Sequence, residues 1–182
     1  INFSNVDEKS IRFGLSAIKN VGEAAVESIL ESRKKTGRFE DLFHFVSNVD
    51  LRKVNRRTLE SLIQAGAMDS LENAPKEELR SRYLATLDVA IEWASREAEH
   101  KSVGQFSLFG EETGAPGTSS ASKPSYQYGQ NLNSRELLDW EKTLLGIYLS
   151  ASPLDAFEER INKTEAKPIF ALAEMAPKSK VC

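Results

Sequence analysis

The sequence has very few of the residues that build disulfide frameworks or metal centres. Among 182 residues there is one cysteine, Cys182, and there are two histidines, His44 and His100, which lie far apart in the chain. One cysteine forms neither a disulfide framework nor a thiolate metal site, and isolated histidines lack the spacing of metal ligands. We therefore predict no metal site or bound cofactor in this chain, and we expect the reducing conditions of the cytoplasm.

Long apolar runs and recognisable catalytic motifs are absent as well. No stretch reaches the roughly 20 apolar residues that span a bilayer, and no basic-then-apolar export signal begins the chain. Neither a nucleophile elbow nor a Walker-type phosphate loop is present. We therefore expect no membrane partner and nominate no catalytic residue. Because the chain starts at Ile1 instead of methionine and ends as a new apolar run begins, we expect a piece of a larger protein.

Helical periodicity dominates the sequence that is present. Apolar residues recur at the i, i+3, i+4 spacing of a buried helix face in two groups near the start of the chain. These are Val26, Ile29, Leu30, Leu59, Leu62 and Ile63. A long helix is predicted over residues 76–100, with one apolar stripe made of Leu84, Leu87, Ile91, Ala94 and Ala98. Helical spacing returns at Ser134, a predicted N-cap. The sequence thus predicts a mainly α-helical fold.

The segment GLSAIKNVGEAAVESILESR has the pattern of a helix-hairpin-helix unit. Leu15 and Ile18 are predicted to end a first helix, and a second helix is predicted to begin near Glu23. The turn between them consists of Lys19, Asn20, Val21 and Gly22. Glycine adopts backbone angles denied to other residues and lets a nucleic-acid backbone approach. The N–H groups that begin the second helix favour an anion such as phosphate.

The segment DLRKVNRRTLESLIQAGAMD has the same pattern and carries more positive charge. Its predicted turn residues are Arg52, Lys53, Asn55, Arg56 and Arg57. Four cations at the head of a helix predict a second phosphate-binding site, and contacts of this kind do not depend on base sequence. The alternative is that both units are ordinary helical hairpins whose charges form a solvated face.

Residues 101–133 interrupt the helical pattern. They hold five of the ten glycines and many serines, so we predict a flexible linker. Within it lies the apolar segment GQFSLFG, whose central residues are Gln105, Phe106, Ser107, Leu108 and Phe109. Apolar residues that a linker cannot bury are typical of a partner site. The alternative is an intramolecular plug on the helix of residues 76–100.

Four segments taken together resemble one known family. They are IRFGLSAIKNVGEAAVESILESR, FEDLFHFV, KVNRRTLESLIQAGAMDSL and EKTLLGIYLSASPLD. They are similar to, and in the same order as, segments of the alpha subunit of DNA polymerase III, the bacterial replicative DNA polymerase. The resemblance covers nearly the whole chain. It departs from the family at Ser152, where a histidine is usual.

The resemblance implies a role in chromosome replication. The chain would contain the DNA-binding hairpins of a DNA-directed DNA polymerase, while the catalytic aspartates and their Mg²⁺ would lie upstream in a palm domain. The implied partners are double-stranded DNA, the sliding clamp and, through the rest of the polymerase, other replicase subunits. The segment QFSLF is similar to the clamp-binding pentapeptide Gln-x-Ser/Asp-Leu-Phe. A non-enzymatic helix-hairpin-helix adaptor is the alternative.

The resemblance also implies a division of the chain into six parts. They are residues 1–10 at the end of the polymerase fingers, 11–75 with the tandem helix-hairpin-helix units, 76–100 as a long helix, 101–133 as the linker with the clamp-binding motif, 134–177 as a helical connector, and 178–182 as the first strand of an oligonucleotide-binding domain.

Overall fold

The computed structural model describes residues 3–5, 7–8, 11–103 and 123–164. Their elements are β1 (Ser4–Asn5), β2 (Ile11–Arg12), a 3-10 turn (Leu15–Ala17), α1 (Glu23–Thr36), α2 (Leu42–Asn48), α3 (Arg56–Gln64), α4 (Lys76–Val103), α5 (Ser134–Leu145), a second 3-10 turn (Asp155–Phe157) and α6 (Glu158–Asn162). The mainly α-helical prediction is confirmed. None of the described helices is both long and apolar enough to cross a membrane.

The first hairpin differs from its prediction because it lacks a first α-helix in the described residues. A single 3-10 turn, Leu15–Ala17, stands in its place. The residues just before that turn form β2, which pairs antiparallel with β1. Backbone groups that bond across a strand pair cannot also bond along a helix, so only one short turn fits before the hairpin.

The ends of α3 and α5 follow short-range rules. Asn133, not the predicted Ser134, caps α5: its side chain accepts from the backbone N–H of Glu136, at 3.0 Å, and the Glu136 carboxylate accepts from the N–H of Asn133, at 2.8 Å. This reciprocal capping box satisfies two N–H groups at once. Gly146 ends α5 with φ +78°, and Gly66 follows α3 with φ +77°. Both values lie in the left-handed region that glycine adopts without strain.

The core lies where α2 and α3 pack against α4. Of the predicted stripe, Leu87 and Ala94 are buried, Leu84 and Ile91 are half-buried against the core, and Ala98 is exposed. The observed stripe is centred closer to the helix start and consists of Leu79, Tyr83, Leu87, Ala90 and Ala94. Tyr83 is buried because its hydroxyl donates to the Glu72 carboxylate, at 2.7 Å. Periodicity alone does not reveal that partner.

The end of the predicted linker, residues 123–133, lies along α4. The Tyr126 hydroxyl donates to the Glu72 carboxylate, at 2.7 Å, and the backbone N–H of Gln127 donates to the Thr86 hydroxyl, at 2.9 Å. These polar contacts hold an extended segment against the helix, although its composition is typical of a linker. The predicted clamp-binding motif and the predicted last strand lie outside the described residues.

A buried arginine joins the end of α3 to α4 and α5. The side chain of Arg80 is 3% exposed, and its guanidinium donates to both oxygens of Asp69, with distances of 2.9 Å from Nε to Oδ1 and 2.6 Å from Nη2 to Oδ2. Its Nη1 donates to the carbonyl of Gln64, at 3.0 Å, and Nη2 lies 3.9 Å from Oε1 of Glu141. A buried charge needs such partners.

Glu141 extends this network to the segment that follows α5. Its carboxylate accepts from the backbone N–H groups of Leu149, at 2.8 Å, and Ser150, at 2.9 Å, and also from the Ser150 hydroxyl. Burial raises the pKa of Glu141, but the bonds from Ser150 and Leu149 and the charge of Arg80 outweigh it and hold that pKa below its ordinary value. The carboxylate is therefore ionised at neutral pH.

We predict that Arg80→Met strongly destabilises the fold. The substitution leaves the carboxylates of Asp69 and Glu141 without their cation, and breaking a buried pair from one side costs about 3 kcal/mol or more. Denaturant unfolding of the two proteins measures this difference. The control is Arg96→Met, which removes an exposed ion pair with Glu92 and should change the unfolding free energy by less than about 0.5 kcal/mol. Equal effects would show that the buried network is not important for stability.

Candidate nucleic-acid interface

The turn that precedes α1 is tight and left-handed at one residue. Ile18 and Val21 are each 5% exposed, and the N–H of Val21 donates to the carbonyl of Ile18, at 3.1 Å. Between them Asn20 has φ +68°. Lys19 and Asn20 are exposed, so the two apolar residues anchor the turn while the two polar ones face outward.

Gly22 does not use the backbone freedom that the sequence suggested. Its angles, φ −79° and ψ 162°, are open to any residue, and the left-handed position of this turn is Asn20. A Cβ atom added to Gly22 would meet nothing within 4 Å. What Gly22 provides is an open surface at the start of α1, where the first N–H groups of the helix have no intrahelical acceptor.

The second turn is built around Asp50. Its carbonyl accepts from the N–H groups of Lys53, at 3.0 Å, and Val54, at 2.8 Å, and its side chain accepts from the N–H of Arg52, at 3.0 Å. Val54 is fully buried. Asn55 then caps α3. This arrangement anchors the turn by one apolar residue and directs Arg52 and Lys53 to the surface.

The two turns are joined through α3. The Thr58 hydroxyl donates to the carbonyl of Asn20, at 3.0 Å, and the Asn20 side-chain amide donates to the Ser61 hydroxyl, at 3.1 Å. Asn55 accepts from the backbone N–H of Thr58, also at 3.0 Å. The structure thus brings the residues predicted from the first hairpin next to those predicted from the second.

The cations of this surface are not equivalent. The guanidinium of Arg56 donates to both oxygens of Asp88, at 2.6 and 3.2 Å, and lies 3.3 Å from Glu60. These contacts raise the pKa of Arg56 and lower that of Asp88. The other predicted cations are exposed and form no ion pair within the described part of the chain. They are Lys19, Arg52, Lys53 and Arg57.

Sequence reasoning missed the residues that connect the two turns. Thr58 and Ser61 are each 3% exposed and lie three residues apart on the buried face of α3. Hydroxyl groups on an otherwise apolar helix face need buried partners. In the sequence, the spacing of these two hydroxyl residues on the apolar face of α3 was therefore the signal for a buried connection. A further contact from outside the hairpins, from the N–H of Lys19 to the carbonyl of Leu144 at 2.9 Å, ties the first turn to α5.

The described residues do not contain a group of three or more His, Cys, Asp or Glu side chains that could hold a metal ion. Ser152, where the resemblance leads one to expect histidine, has a structural role of its own. Its hydroxyl accepts from the N–H of Leu154, at 3.2 Å, and its N–H donates to the Asp155 carboxylate, at 2.8 Å. Serine therefore supports the short turn that precedes α6.

Comparison with known proteins places this surface in a family. A helix-hairpin-helix motif model matches residues 1–78. The chain is 38% identical to DNA polymerase III subunit alpha of Vibrio cholerae over 87% of its length, and 36% identical to that of Pseudomonas aeruginosa over 93%. It is 34% identical to the Escherichia coli subunit over 86%. The chain belongs to the DNA polymerase III alpha-subunit family. It spans 13–15% of the length of these relatives.

The segment that begins at Glu141 is one of those that carry the resemblance. It reads EKTLLGIYLS. Its Glu binds the backbone and hydroxyl of its Ser, Gly146 takes the left-handed angle, and the Lys142 ammonium lies 5.3 Å from the centre of the Tyr148 ring. In this chain these contacts therefore determine the path of the backbone after α5.

Proposed function

We propose that this chain is the part of a bacterial replicative DNA polymerase that holds duplex DNA by its backbone phosphates and holds the sliding clamp by residues 105–109. The observation that carries the DNA-binding half is the junction of the two hairpin turns through Thr58. It places two helix starts and a set of exposed cations side by side. The relatives are named as polymerase subunits, which favours this function over a non-enzymatic adaptor.

Each part of the surface suits a phosphate. The open N–H groups at the start of α1 and the partial positive charge of that helix end attract an anion. Gly22 leaves room for a DNA backbone to come close, and Lys19 adds a full charge beside it. At the second turn Arg52, Lys53 and Arg57 are free to do the same. The carboxylate of Glu23 is exposed in the first turn of α1 and repels phosphate. The proposed phosphate site therefore lies on the side of the turn where Lys19 is.

Arg56 binds phosphate in this proposal only after it leaves Asp88. A phosphate offers the same paired oxygen geometry as a carboxylate, so the exchange of partners is chemically simple. The exchange nevertheless breaks an existing ion pair, a modest cost at the surface that Arg57 does not have. Arg56 therefore contributes less to affinity than its neighbour.

Template-directed DNA synthesis would belong to the whole polymerase. The catalytic aspartates and Mg²⁺ that the family implies would lie upstream of this chain, and no step of that chemistry uses a residue described here. In the proposed complex this section keeps the duplex aligned while the clamp keeps the polymerase close to the primer end. Tethering of this kind raises the effective concentration and makes each dissociation brief. Other replicase subunits would act through the remainder of the polymerase.

The clamp-binding half rests on the residues themselves. In the proposed complex Leu108 and Phe109 insert into an apolar cleft, and the Gln105 amide bonds to polar groups at its rim. A few such anchors supply most of the binding energy in small interfaces.

We predict that Arg57→Ala weakens duplex binding equally for unrelated DNA sequences. The slope of log affinity against log salt concentration should fall in magnitude by about 0.9, the value for one lost phosphate contact. Arg56→Ala is the matched control and should change the slope less, since Asp88 competes for that side chain. Fluorescence anisotropy with two labelled duplexes over a range of salt concentrations measures both. An unchanged slope in Arg57→Ala would contradict the phosphate contact.

We predict that Gly22→Ala weakens duplex binding without unfolding the protein. The backbone angles of Gly22 suit alanine and its Cβ would touch no atom of the folded chain, so the unfolding free energy should change by less than about 1 kcal/mol. The added methyl group would stand between the helix start and the DNA backbone. Anisotropy and thermal unfolding of the same variant separate these effects. Wild-type affinity would refute the close approach.

We predict that a peptide of residues 103–110 binds a bacterial sliding clamp. Calorimetric titration measures the interaction, and a peptide with Gln105→Ala and Phe109→Ala is the control. The same double variant in the whole 182-residue chain should lose clamp binding and keep duplex binding, because the proposed phosphate contacts involve none of residues 105–109. A peptide that does not bind would favour the intramolecular plug and leave DNA binding as the remaining function.

A further inference from the structure

Asn20 occupies a backbone conformation that needs support. Left-handed angles are unfavourable for residues with a Cβ, although asparagine tolerates them better than most. Here two polar groups of the residue, its backbone carbonyl and its side-chain NH₂, are held from α3. The carbonyl accepts from the Thr58 hydroxyl, at 3.0 Å, and the side-chain amide donates to the Ser61 hydroxyl, at 3.1 Å.

Thr58 is the residue that touches both turns. Its backbone N–H donates to the Asn55 side chain, at 3.0 Å, which caps α3 at the second turn. Its hydroxyl lies 3.0 Å from the Asn20 carbonyl and 3.3 Å from the Asn55 side-chain oxygen. A hydroxyl has one proton to donate, and the shorter distance assigns it to Asn20. With 3% of its surface exposed, Thr58 is too buried to bind DNA directly.

Other contacts also hold the first turn. The N–H of Val21 donates to Ile18 within the turn, at 3.1 Å, and the N–H of Lys19 donates to Leu144 of α5, at 2.9 Å. The Val21 N–H and the Asn20 carbonyl belong to one planar peptide unit, so Ile18 holds this unit at its hydrogen and Thr58 holds it at its oxygen. The unit lies between Lys19 and Gly22, the two residues that the proposed function places beside a phosphate.

We propose that Thr58 is a positioning residue, which sets the first turn for phosphate binding from the buried face of α3. The proposal rests on the proposed function of these turns in binding duplex DNA. It goes beyond that function because it assigns the geometry of the first phosphate site to a buried hydroxyl of the second hairpin.

The test compares Thr58→Val with Thr58→Ser in the 182-residue chain. Valine keeps the shape of threonine and leaves the backbone bond to Asn55 intact, so it removes only the hydroxyl. Serine keeps the hydroxyl. Without DNA, amide hydrogen exchange at Val21 should accelerate several-fold in Thr58→Val and return close to the wild-type rate in Thr58→Ser. The loss of one net hydrogen bond corresponds to about a fivefold change in an equilibrium constant.

Duplex affinity, measured by anisotropy, should fall by about the same fivefold factor in Thr58→Val and recover in Thr58→Ser. A double-mutant cycle shows through which of the two turns the effect of Thr58→Val on duplex affinity acts. Since Thr58 works through the first turn, its effect should largely disappear in a Lys19→Ala background and persist in an Arg57→Ala background. If Thr58 only stabilised the fold, Thr58→Val would lower the melting temperature. It would leave the affinity of the folded protein unchanged and would show no coupling to Lys19.

The possible failures are distinguishable. If the wild-type chain does not bind duplex DNA, the proposed function fails and the positioning role of Thr58 fails with it, whatever the exchange rates show. If the wild type binds and Thr58→Val leaves either Val21 exchange or affinity unchanged, the proposed function stands and the positioning role is overturned. If the effect couples to Arg57 instead of Lys19, action through the first turn is overturned.

Discussion

A buried guanidinium is the constraint on which the arrangement of the helices depends. Arg80 has almost no contact with solvent, so α4 can pack only where oxygen atoms surround that side chain. The carbonyl at the end of α3, the carboxylate of Asp69 and the carboxylate of Glu141 provide them. The turn after α3 is shaped to leave room, since a Cβ on Gly66 would lie 2.3 Å from Nη2 of Arg80.

This network reaches the candidate interface through α5. Glu141, in the middle of α5, binds the segment that leaves the helix, and Leu144 near its end accepts from the N–H of Lys19. The helix that follows the segment of residues 123–133 therefore supports the first hairpin turn.

Different hydrogen bonds stabilise the two hairpin turns. The first turn depends on a left-handed asparagine held from α3, and the second depends on an aspartate whose side chain accepts from the N–H of Arg52. Charge is distributed unequally between them, with one cation at the first and several at the second. Of the latter, Arg56 already has carboxylate partners, so the number of positive residues in the sequence overstates the charge available to DNA.

Local chemistry determined what could be predicted from the sequence. The apolar spacing of α1 and α3, the start of α1 at Glu23 and the cluster of cations at the head of α3 follow from interactions within a few residues. The same short-range rules placed the α5 cap one residue late, at Ser134 instead of Asn133, because both side chains can cap a helix.

The sequence by itself determined that the chain is helical, that two turns lead into α1 and α3, and that these turns carry positive charge. Only the tertiary structure decided which of these charges are free, where the segment after residue 122 lies, and that Thr58 meets Asn20. The physical reason is distance along the chain: Arg56 pairs with Asp88, and Arg80 with Glu141, across separations that no local pattern encodes. Such partners are set by how the helices pack.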